Sequence, residues 1–227
     1  MRTSHSQAMD PLSEIVFGQE CVRCGDQDGP LCQGCCALLK SNPPTCPFCS
    51  RLSTLGIVCQ FHRGQAVTAG LSLAPYTDNF HPVLWAAKFK RNRALAELLA
   101  HSLAQAVERT GWEVELVTFV PSHWLNRIRR GYILSELCAR TVASRLQLPL
   151  VNTLVSRTIA SQVGLGRRSR LENPIHRFGR RSHVPSRVVL VDDIRTTGAT
   201  LTRCAALLRE GGARRVYTAT IFAENMR

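Results

Sequence analysis

The chain has 227 residues, of which 44% are hydrophobic, and a formal net charge of +13 at pH 7. This length allows one domain or a domain with a small module. The sequence contains no run of about eighteen apolar residues, so no membrane span is predicted. The N-terminus lacks the apolar stretch of a secretory signal, so we expect a cytoplasmic protein. The charge favours an anionic partner such as nucleic acid or polyphosphate, although a merely solvated basic surface also fits it.

After a segment 1–20 without clear pattern, residues 21–62 carry four pairs of metal-ligand type. A CxxC turn presents two thiolates to one tetrahedral zinc ion, and a second such turn completes the site. In a chain without a secretion signal, clustered pairs favour metal over disulfides. We predict a zinc ribbon, single or double, in which sequential and cross-braced pairing are both open. Its candidate ligands are Cys21, Cys24, Cys32, Cys35, Cys46, Cys49, Cys59 and His62.

Three further cysteines have ordinary roles in this interpretation. Cys36 is a spare residue of the zinc ribbon. Cys138 and Cys204 occupy apolar positions of predicted helices, where a cysteine acts as a small core residue.

Residues 63–80 are predicted to form a β segment and turn that connect two modules, and residues 82–109 have a helical apolar period. A hydrophobic strand at 114–121 follows, then a loop that combines arginines with aromatic residues. Such a loop suits either a diphosphate or stacking on single-stranded bases. The candidate nucleic-acid contacts are Lys88, Lys90, Arg91, Trp124, Arg127, Arg129 and Tyr132.

A helix is predicted at about 133–146 and a short strand at 151–155. The tract that continues to residue 187 is rich in arginine and made pliable by Gly164 and Gly166. A mobile basic flap beside a polyphosphate site would exclude water during group transfer.

The stretch 188–200, VVLVDDIRTTGAT, carries the clearest chemical signal. Its apolar residues predict a buried parallel strand that ends at Asp192 and Asp193, followed by a loop of small residues and a helix. Such a loop directs unpaired N–H groups and the helix dipole to a phosphate, and Gly198 lets the backbone approach it closely. Because the carboxylates would repel that phosphate, they suit adjacent hydroxyls or a cation. The combination describes a ribose 5-phosphate site.

The helix after this loop is predicted to end at Gly211–Gly212, and a last strand at 215–222. Strand, helix and strand in this order predict a βαβ crossover in a parallel sheet.

The same stretch resembles the phosphoribosyl-pyrophosphate (PRPP) signature of type I phosphoribosyltransferases. By this resemblance, Asp192 and Asp193 contact the ribose hydroxyls and Mg²⁺ accompanies PRPP. The 5′-phosphate is then wrapped by Thr196, Thr197, Gly198, Ala199 and Thr200, with Arg129 and Arg130 as candidates for the diphosphate. The candidate catalytic residues are Asp192, Asp193, Arg130, Arg157 and Arg170.

From about residue 20 to the end, the chain resembles the ComF family of phosphoribosyltransferase-like competence proteins. The shared features are the cysteine pairs, APY before AAKFKRNRALAELL, VP before RIRRGY, and Gln162, Leu165, Arg170 and Asn173 ahead of the signature. The resemblance implies an α/β fold, a type I phosphoribosyltransferase-like parallel sheet flanked by helices over 81–227, behind the zinc ribbon. It also implies a role in natural transformation, with handling of single-stranded DNA near the uptake machinery.

Two departures from the related patterns bear on chemistry. Ile133 and Leu134 stand where the family usually has Asn and Gln, so a hydrogen-bonding role of that pair is not expected here. Thr196 stands where purine-salvage relatives carry an acidic general base, so a purine acceptor is not expected.

Three functions are therefore open. The first is a ComF-like protein that binds PRPP or ribose 5-phosphate and acts in DNA uptake. The second is an active phosphoribosyltransferase, a glycosyltransferase, on an unidentified non-purine acceptor. The third is a non-catalytic, zinc-dependent protein that binds single-stranded DNA or docks a partner such as a helicase of the uptake machinery.

Overall fold

A computed structural model describes residues 20–39, 42–122, 131–156, 178–180 and 183–224. The helices of this part are α1 Gln33–Leu39, α2 His81–Phe89, α3 Arg93–Arg109, α4 Leu134–Leu146 and α5 Ala199–Glu210. Its strands are β1 Ala69–Pro75, β2 Leu116–Phe119, β3 Leu154–Ser156, β4 Phe178–Arg180, β5 Arg187–Arg195 and β6 Arg215–Ala223. No helix of the described residues has the length and apolar character to cross a bilayer.

The main sheet has four parallel strands in the order β1-β6-β5-β2. Strand β5 pairs with β6 on one side and β2 on the other, and its residues 188–191 are fully buried. A continuous apolar run is typical of a parallel strand that is covered on both faces. The predicted buried strand and the parallel β5–α5–β6 unit are both confirmed. Strands β3 and β4 form a separate antiparallel pair.

Side chains of the sheet alternate between two buried clusters, since successive residues of a strand point to opposite faces. Val189 and Val191 lie in the cluster that contains the apolar residues of α2, α3 and α4. Val188 and Leu190 lie in the cluster that contains those of α5. Because of this alternation, the two adjacent carboxylates of β5 point to opposite faces of the sheet.

The apolar period of 82–109 belongs to two helices rather than one. The chain turns after α2, where Arg91 has a φ of +55°. Asn92 then caps α3, because its side-chain oxygen accepts a hydrogen bond from the N–H of Leu95 at 3.0 Å. Asparagine is a preferred N-cap, so this break has a recognisable signal in the sequence.

The β segment that was expected to connect two modules within 63–80 is strand β1, which forms one edge of the sheet. Residues of the cysteine-rich segment cover that edge: Ile57 forms an antiparallel bridge with Ala69, and the N–H of Val58 donates to the carbonyl of Thr68 at 3.1 Å. Covering an edge strand in this way removes a site for unwanted strand pairing.

The first cysteine segment, which carries Cys21 to Cys35, also shares its core with the sheet. Leu31, Cys32, Cys35 and Leu39 belong to the same buried cluster as the α3 face of the sheet. The guanidinium of Arg23 lies 5.2 Å from the ring centroid of Phe80. The cysteine segments are thus packed against the α/β part and contribute to its core.

Candidate functional site: an acidic pair, a phosphate-type loop and two cysteine clusters

Strand β5 carries the acidic pair at the point where its neighbour β2 ends. The last paired residue of β2 is Phe119, opposite Val191. The expectation that β5 ends at the carboxylates is wrong: Asp192 still pairs with Thr220 of β6, and pairing continues to Arg195. Because β6 is longer than β2, β5 keeps a partner on one side while the other side opens at the carboxyl edge of the sheet.

The two carboxylates face opposite sides of the sheet. Oδ1 of Asp193 accepts a hydrogen bond from the ammonium of Lys88 of α2 at 2.8 Å, and both side chains are largely buried, with 13% and 19% exposure. Asp192 instead lines the cavity on the α5 side. In this structure the two carboxylates are therefore not both directed at the cavity.

Burial raises the pKa of Asp192 well above its ordinary value, and the charge of Asp193 raises it further. Two influences oppose this: the N–H of Asp193 donates to Oδ1 of Asp192 at 2.9 Å, and Lys88 adds a nearby positive charge. Of the two carboxylates, Asp193 is the one that forms the ion pair with Lys88.

The loop after β5 forms a cavity of about 180 Å³ at the start of α5, lined by Asp192, Ile194, Arg195, Thr196, Gly198, Thr200 and Leu201. Gly198 has a φ of +75° and stands at the N-cap without a side-chain cap bond. The threonines of the loop are exposed. First-turn N–H groups of a helix favour an anion, and here they lie beside a carboxylate that a hydroxyl can satisfy.

Arg195, the last residue of β5, is buried beneath this loop. A Cβ on Gly198 would lie 3.9 Å from both Cγ and Cδ of Arg195. Burial lowers the pKa of the guanidinium, while the charges of Cys46 and Glu224 raise it. Among the described residues, Nη1 of Arg195 has no hydrogen-bond partner. Nothing in the residue pattern indicated that this arginine would be buried.

Cys138 of α4 and Cys204 of α5 are fully buried beside the acidic pair, which confirms that they are core residues. Burial, together with the charge of Asp192, raises the pKa of Cys204 to about 12. Burial and the charges of both carboxylates raise the pKa of Cys138 still further. Both are therefore neutral thiols at physiological pH.

The cysteines of the N-terminal segments gather sequentially rather than in a cross-braced manner. The ligand atoms of Cys21, Cys24, Cys32 and Cys35 lie within 4.8 Å of one another, and so do those of Cys46, Cys49, Cys59 and His62. Cys36 belongs to neither group, and its thiol donates to the carbonyl of Leu31 at 3.3 Å.

Distances within the groups match a tetrahedral zinc site. Zn–S bonds of about 2.3 Å place two tetrahedral sulfur ligands about 3.8 Å apart. The Sγ–Sγ distances are 3.6 Å for Cys24–Cys32 and 3.7 Å for Cys49–Cys59. His62 turns Nδ1 towards its group, 3.2 Å from Sγ of Cys59. Both donor sets therefore fit zinc.

Backbone hydrogen bonds prepare two of these sulfurs for the thiolate form. Burial tends to raise the pKa of Cys21, but hydrogen bonds from the backbone of Cys32, Cys24 and Arg23 lower it to about 6. Cys46 is shifted in the same direction, and the N–H of Cys59 reaches its sulfur at 3.4 Å. Burial and contacts with neighbouring thiols instead raise the pKa of Cys24, Cys35 and Cys49. Only Cys21 and Cys46 are therefore prepared in this way for the deprotonated form that binds metal.

The described members of the predicted nucleic-acid set, Lys88, Lys90, Arg91 and Tyr132, lie together at α2 and its junction with α3. Lys88 is engaged by Asp193, and the hydroxyl of Tyr132 donates to the carbonyl of Ala87, which leaves the ring half-buried. Lys90 and Arg91 are exposed between α2 and α3. Outside the described residues lie Trp124, Arg127, Arg129, Arg130, Arg157 and Arg170.

The chain is similar to one known domain family and to several known proteins. Residues 134–227 match the family described as the phosphoribosyl transferase domain. The chain is 28% identical over 221 residues to Competence protein F of Haemophilus influenzae, covering 88% of this chain and 95% of that protein. It is 27% identical over 194 residues to DNA utilization protein YhgH of Escherichia coli, covering 81% and 86%. Glutamine PRPP amidotransferase from B. subtilis, solved with ADP and GMP, gives a TM-score of 0.38 at 23% identity over 54% of this chain and 25% of that one.

The parallel sheet and the matched family define the class: the fold is that of a phosphoribosyltransferase-type α/β protein. Cysteine groups able to hold zinc precede it, so the predicted fold class is confirmed. The two curated relatives align with at least 81% of the chain, and the chain is a ComF-like protein. The resemblance to that family is thereby confirmed.

Proposed function

We propose that the chain binds ribose 5-phosphate or PRPP at the β5–α5 loop and acts in DNA uptake or utilisation. One observation carries the proposal: Asp192, the N-terminus of α5 and Gly198 border a single cavity. A sugar phosphate needs donors for its phosphate and an acceptor for its hydroxyls, and both occur there. The biological process rests on the relatives named Competence protein F and DNA utilization protein YhgH.

In this proposal the two carboxylates have different roles. Asp192 accepts hydrogen bonds from ribose hydroxyls, because it lines the cavity. Asp193 contacts the ligand only if Lys88 releases it. Mg²⁺ arrives with PRPP, since the described residues contain no group of three or more metal-ligating side chains besides the two cysteine clusters. Mg²⁺ is commonly held by substrate phosphates and one or two carboxylates.

Phosphoribosyl transfer is the alternative within the same site. Diphosphate would leave towards the predicted basic residues Arg129, Arg130, Arg157 and Arg170, which would stabilise its charge. Asp192 would hold the ribose while its C1 reacts, and Thr196 offers no general base for the acceptor. The acceptor must then react as the nucleophile without a general base at that position.

The two cysteine groups are proposed as structural zinc sites. Their donor sets and distances fit tetrahedral coordination, and the edge of the sheet rests on both segments. Zinc would therefore stabilise the α/β part as well as the cysteine segments.

A comparison of sugar phosphates tests the binding proposal. We would titrate the zinc-loaded protein with ribose 5-phosphate, 2-deoxyribose 5-phosphate and inorganic phosphate. If Asp192 binds the two ribose hydroxyls, the affinity should be highest for ribose 5-phosphate, lower for 2-deoxyribose 5-phosphate and lowest for inorganic phosphate. Equal affinity for all three would assign the loop to a phosphate alone and contradict the role of Asp192.

Binding of single-stranded DNA is a second proposed activity, favoured by the exposed cations between α2 and α3. Lys90 and Arg91 are exposed there, and the segment 81–92 contains no acidic residue. If the protein binds through phosphates, the logarithm of the binding constant must fall linearly with the logarithm of the salt concentration. A protein that fails to bind an oligonucleotide even at about 50 mM salt would exclude this activity. A helicase partner stays a prediction.

A further inference from the structure

We propose that Trp85 and Phe89 of α2 form a stacking platform for unpaired bases of a single-stranded nucleic acid, on the helix whose Lys88 contacts Asp193. The inference rests on the proposed binding of single-stranded DNA and names the surface that would receive it.

The two aromatic side chains form an exposed pair on one stripe of α2. They are four residues apart, which places them one above the other on a helix. Trp85 is 45% exposed and Phe89 is 52% exposed. Their ring centroids are 6.2 Å apart with an interplanar angle of 35°. The helix therefore buries Val83, Ala86 and Ala87 and leaves Trp85 and Phe89 about half exposed.

Charge around the pair selects the kind of partner. The ammonium of Lys90 lies 5.0 Å from the ring centroid of Trp85. Lys90 and Arg91 are exposed, and the segment 81–92 has no carboxylate. An apolar protein partner needs no such cations, whereas a single strand presents both a π-face and a phosphate per nucleotide. Aromatic rings beside cations are the usual arrangement for binding single strands.

The platform lies next to the acidic pair. Lys88, three residues after Trp85 on the helix, contacts Asp193 at 2.8 Å. A strand whose bases stack on α2 would thus lie on the helix that contacts Asp193, on the face of the sheet opposite α5. This arrangement links the two proposed activities through one helix.

Fluorescence anisotropy with a labelled oligo(dT) of about 15 nucleotides tests the platform on the full-length, zinc-loaded protein. Trp85→Ala and Phe89→Ala should each weaken binding about 5- to 150-fold, the effect of losing one stacked base. Trp85→Phe should keep most of the affinity but lose part of the tryptophan quenching on binding. The matched control is Phe61→Ala, since Phe61 is also exposed, at 69%, with the guanidinium of Arg51 5.0 Å from its ring centroid.

Salt dependence separates stacking from charge. The aromatic variants should lower the affinity at every salt concentration without changing the slope of log K against log[salt]. Lys90→Gln should reduce that slope by about 0.7, the value for one phosphate contact on a single strand.

Several results would overturn the platform. Alanine variants that bind like the wild type, or a Phe61→Ala variant that loses as much, would remove its basis. If Trp85→Ala instead dissociates a dimer in sedimentation without DNA, the surface is a protein interface. A wild-type protein that does not bind oligo(dT) at all would defeat the proposed DNA binding itself rather than the choice of surface.

Discussion

Nζ of Lys88 lies 2.8 Å from Oδ1 of Asp193 and joins α2 to the strand that carries the acidic pair. The two adjacent carboxylates of β5 therefore differ: Asp193 is neutralised in place, while Asp192 faces the loop cavity. The acidic pair of the sequence is, in the folded chain, one carboxylate held by a lysine and one that lines the cavity.

Replacing Lys88 by Met should lower the free energy of unfolding by about 1–3 kcal/mol, because a largely buried carboxylate loses its partner. Equilibrium denaturation of the zinc-loaded protein measures the change. The double variant Lys88→Met/Asp193→Asn should recover part of the loss, since it leaves no unpaired charge. Additive effects of the two single changes would show that the ion pair does not contribute to stability.

Asp192→Asn should stabilise the protein at neutral pH, by about 0.5–2 kcal/mol, the usual range for a single stabilising substitution. The pKa of Asp192 is raised in the folded state, so the unfolded carboxyl, near 3.8, ionises first as pH rises. The wild type therefore loses stability relative to the variant from about pH 4 up to the raised pKa. Unfolding of both proteins at each pH gives this difference, in which any effect of acid on zinc cancels. Equal stability at pH 8 would contradict the raised pKa.

Zinc content should be two ions per chain. Cys49→Ser should reduce it to one, whereas Cys36→Ser should leave two, because Cys36 belongs to neither cluster. Chelation should also lower the melting temperature of the α/β part, since Leu39 and Cys35 belong to its core. Metal analysis and thermal unfolding test both statements. A Cys36→Ser variant with one zinc ion would show that the ligand sets are wrong.

Gly56→Ala should destabilise the contact between the second cysteine segment and β1. Gly56 has a φ of +71°, and a Cβ there would lie 1.9 Å from the carbonyl oxygen of Gly70. We expect a loss of about 2–4 kcal/mol from backbone strain and overpacking. Gly64→Ala is the control: its φ is +91° but nothing lies within 4 Å of a Cβ. Similar losses for the two variants would mean that the close approach of the segments is not needed.

Much of the fold follows from local pattern. The apolar run at 188–191 predicts a buried strand, and the cysteine spacing predicts the ligand pairs, because both depend on neighbouring residues. The break between α2 and α3 was missed although Asn92 is a standard N-cap residue. The apolar period continues across the break and favours one helix, whereas Asn92 indicates that a second helix begins there.

Other features depend on contacts between distant parts of the chain. Lys88 and Asp193 are 105 residues apart, and no local pattern announces their pairing. The end of β5 does not follow from its residues, because pairing with β6 continues the strand through two residues of low β-propensity. The membership of β1 in the sheet likewise depends on Arg215–Ala223, near the other end of the chain.

Calorimetric titration of the zinc-loaded protein with PRPP and Mg²⁺, beside the Asp192→Asn/Asp193→Asn variant, tests the central claim most directly. The account predicts micromolar binding by the wild type that the double variant loses while it keeps its zinc and its fold. Absence of binding by the wild type, or undiminished binding by the variant, would contradict a sugar-phosphate site at the carboxyl edge of β5.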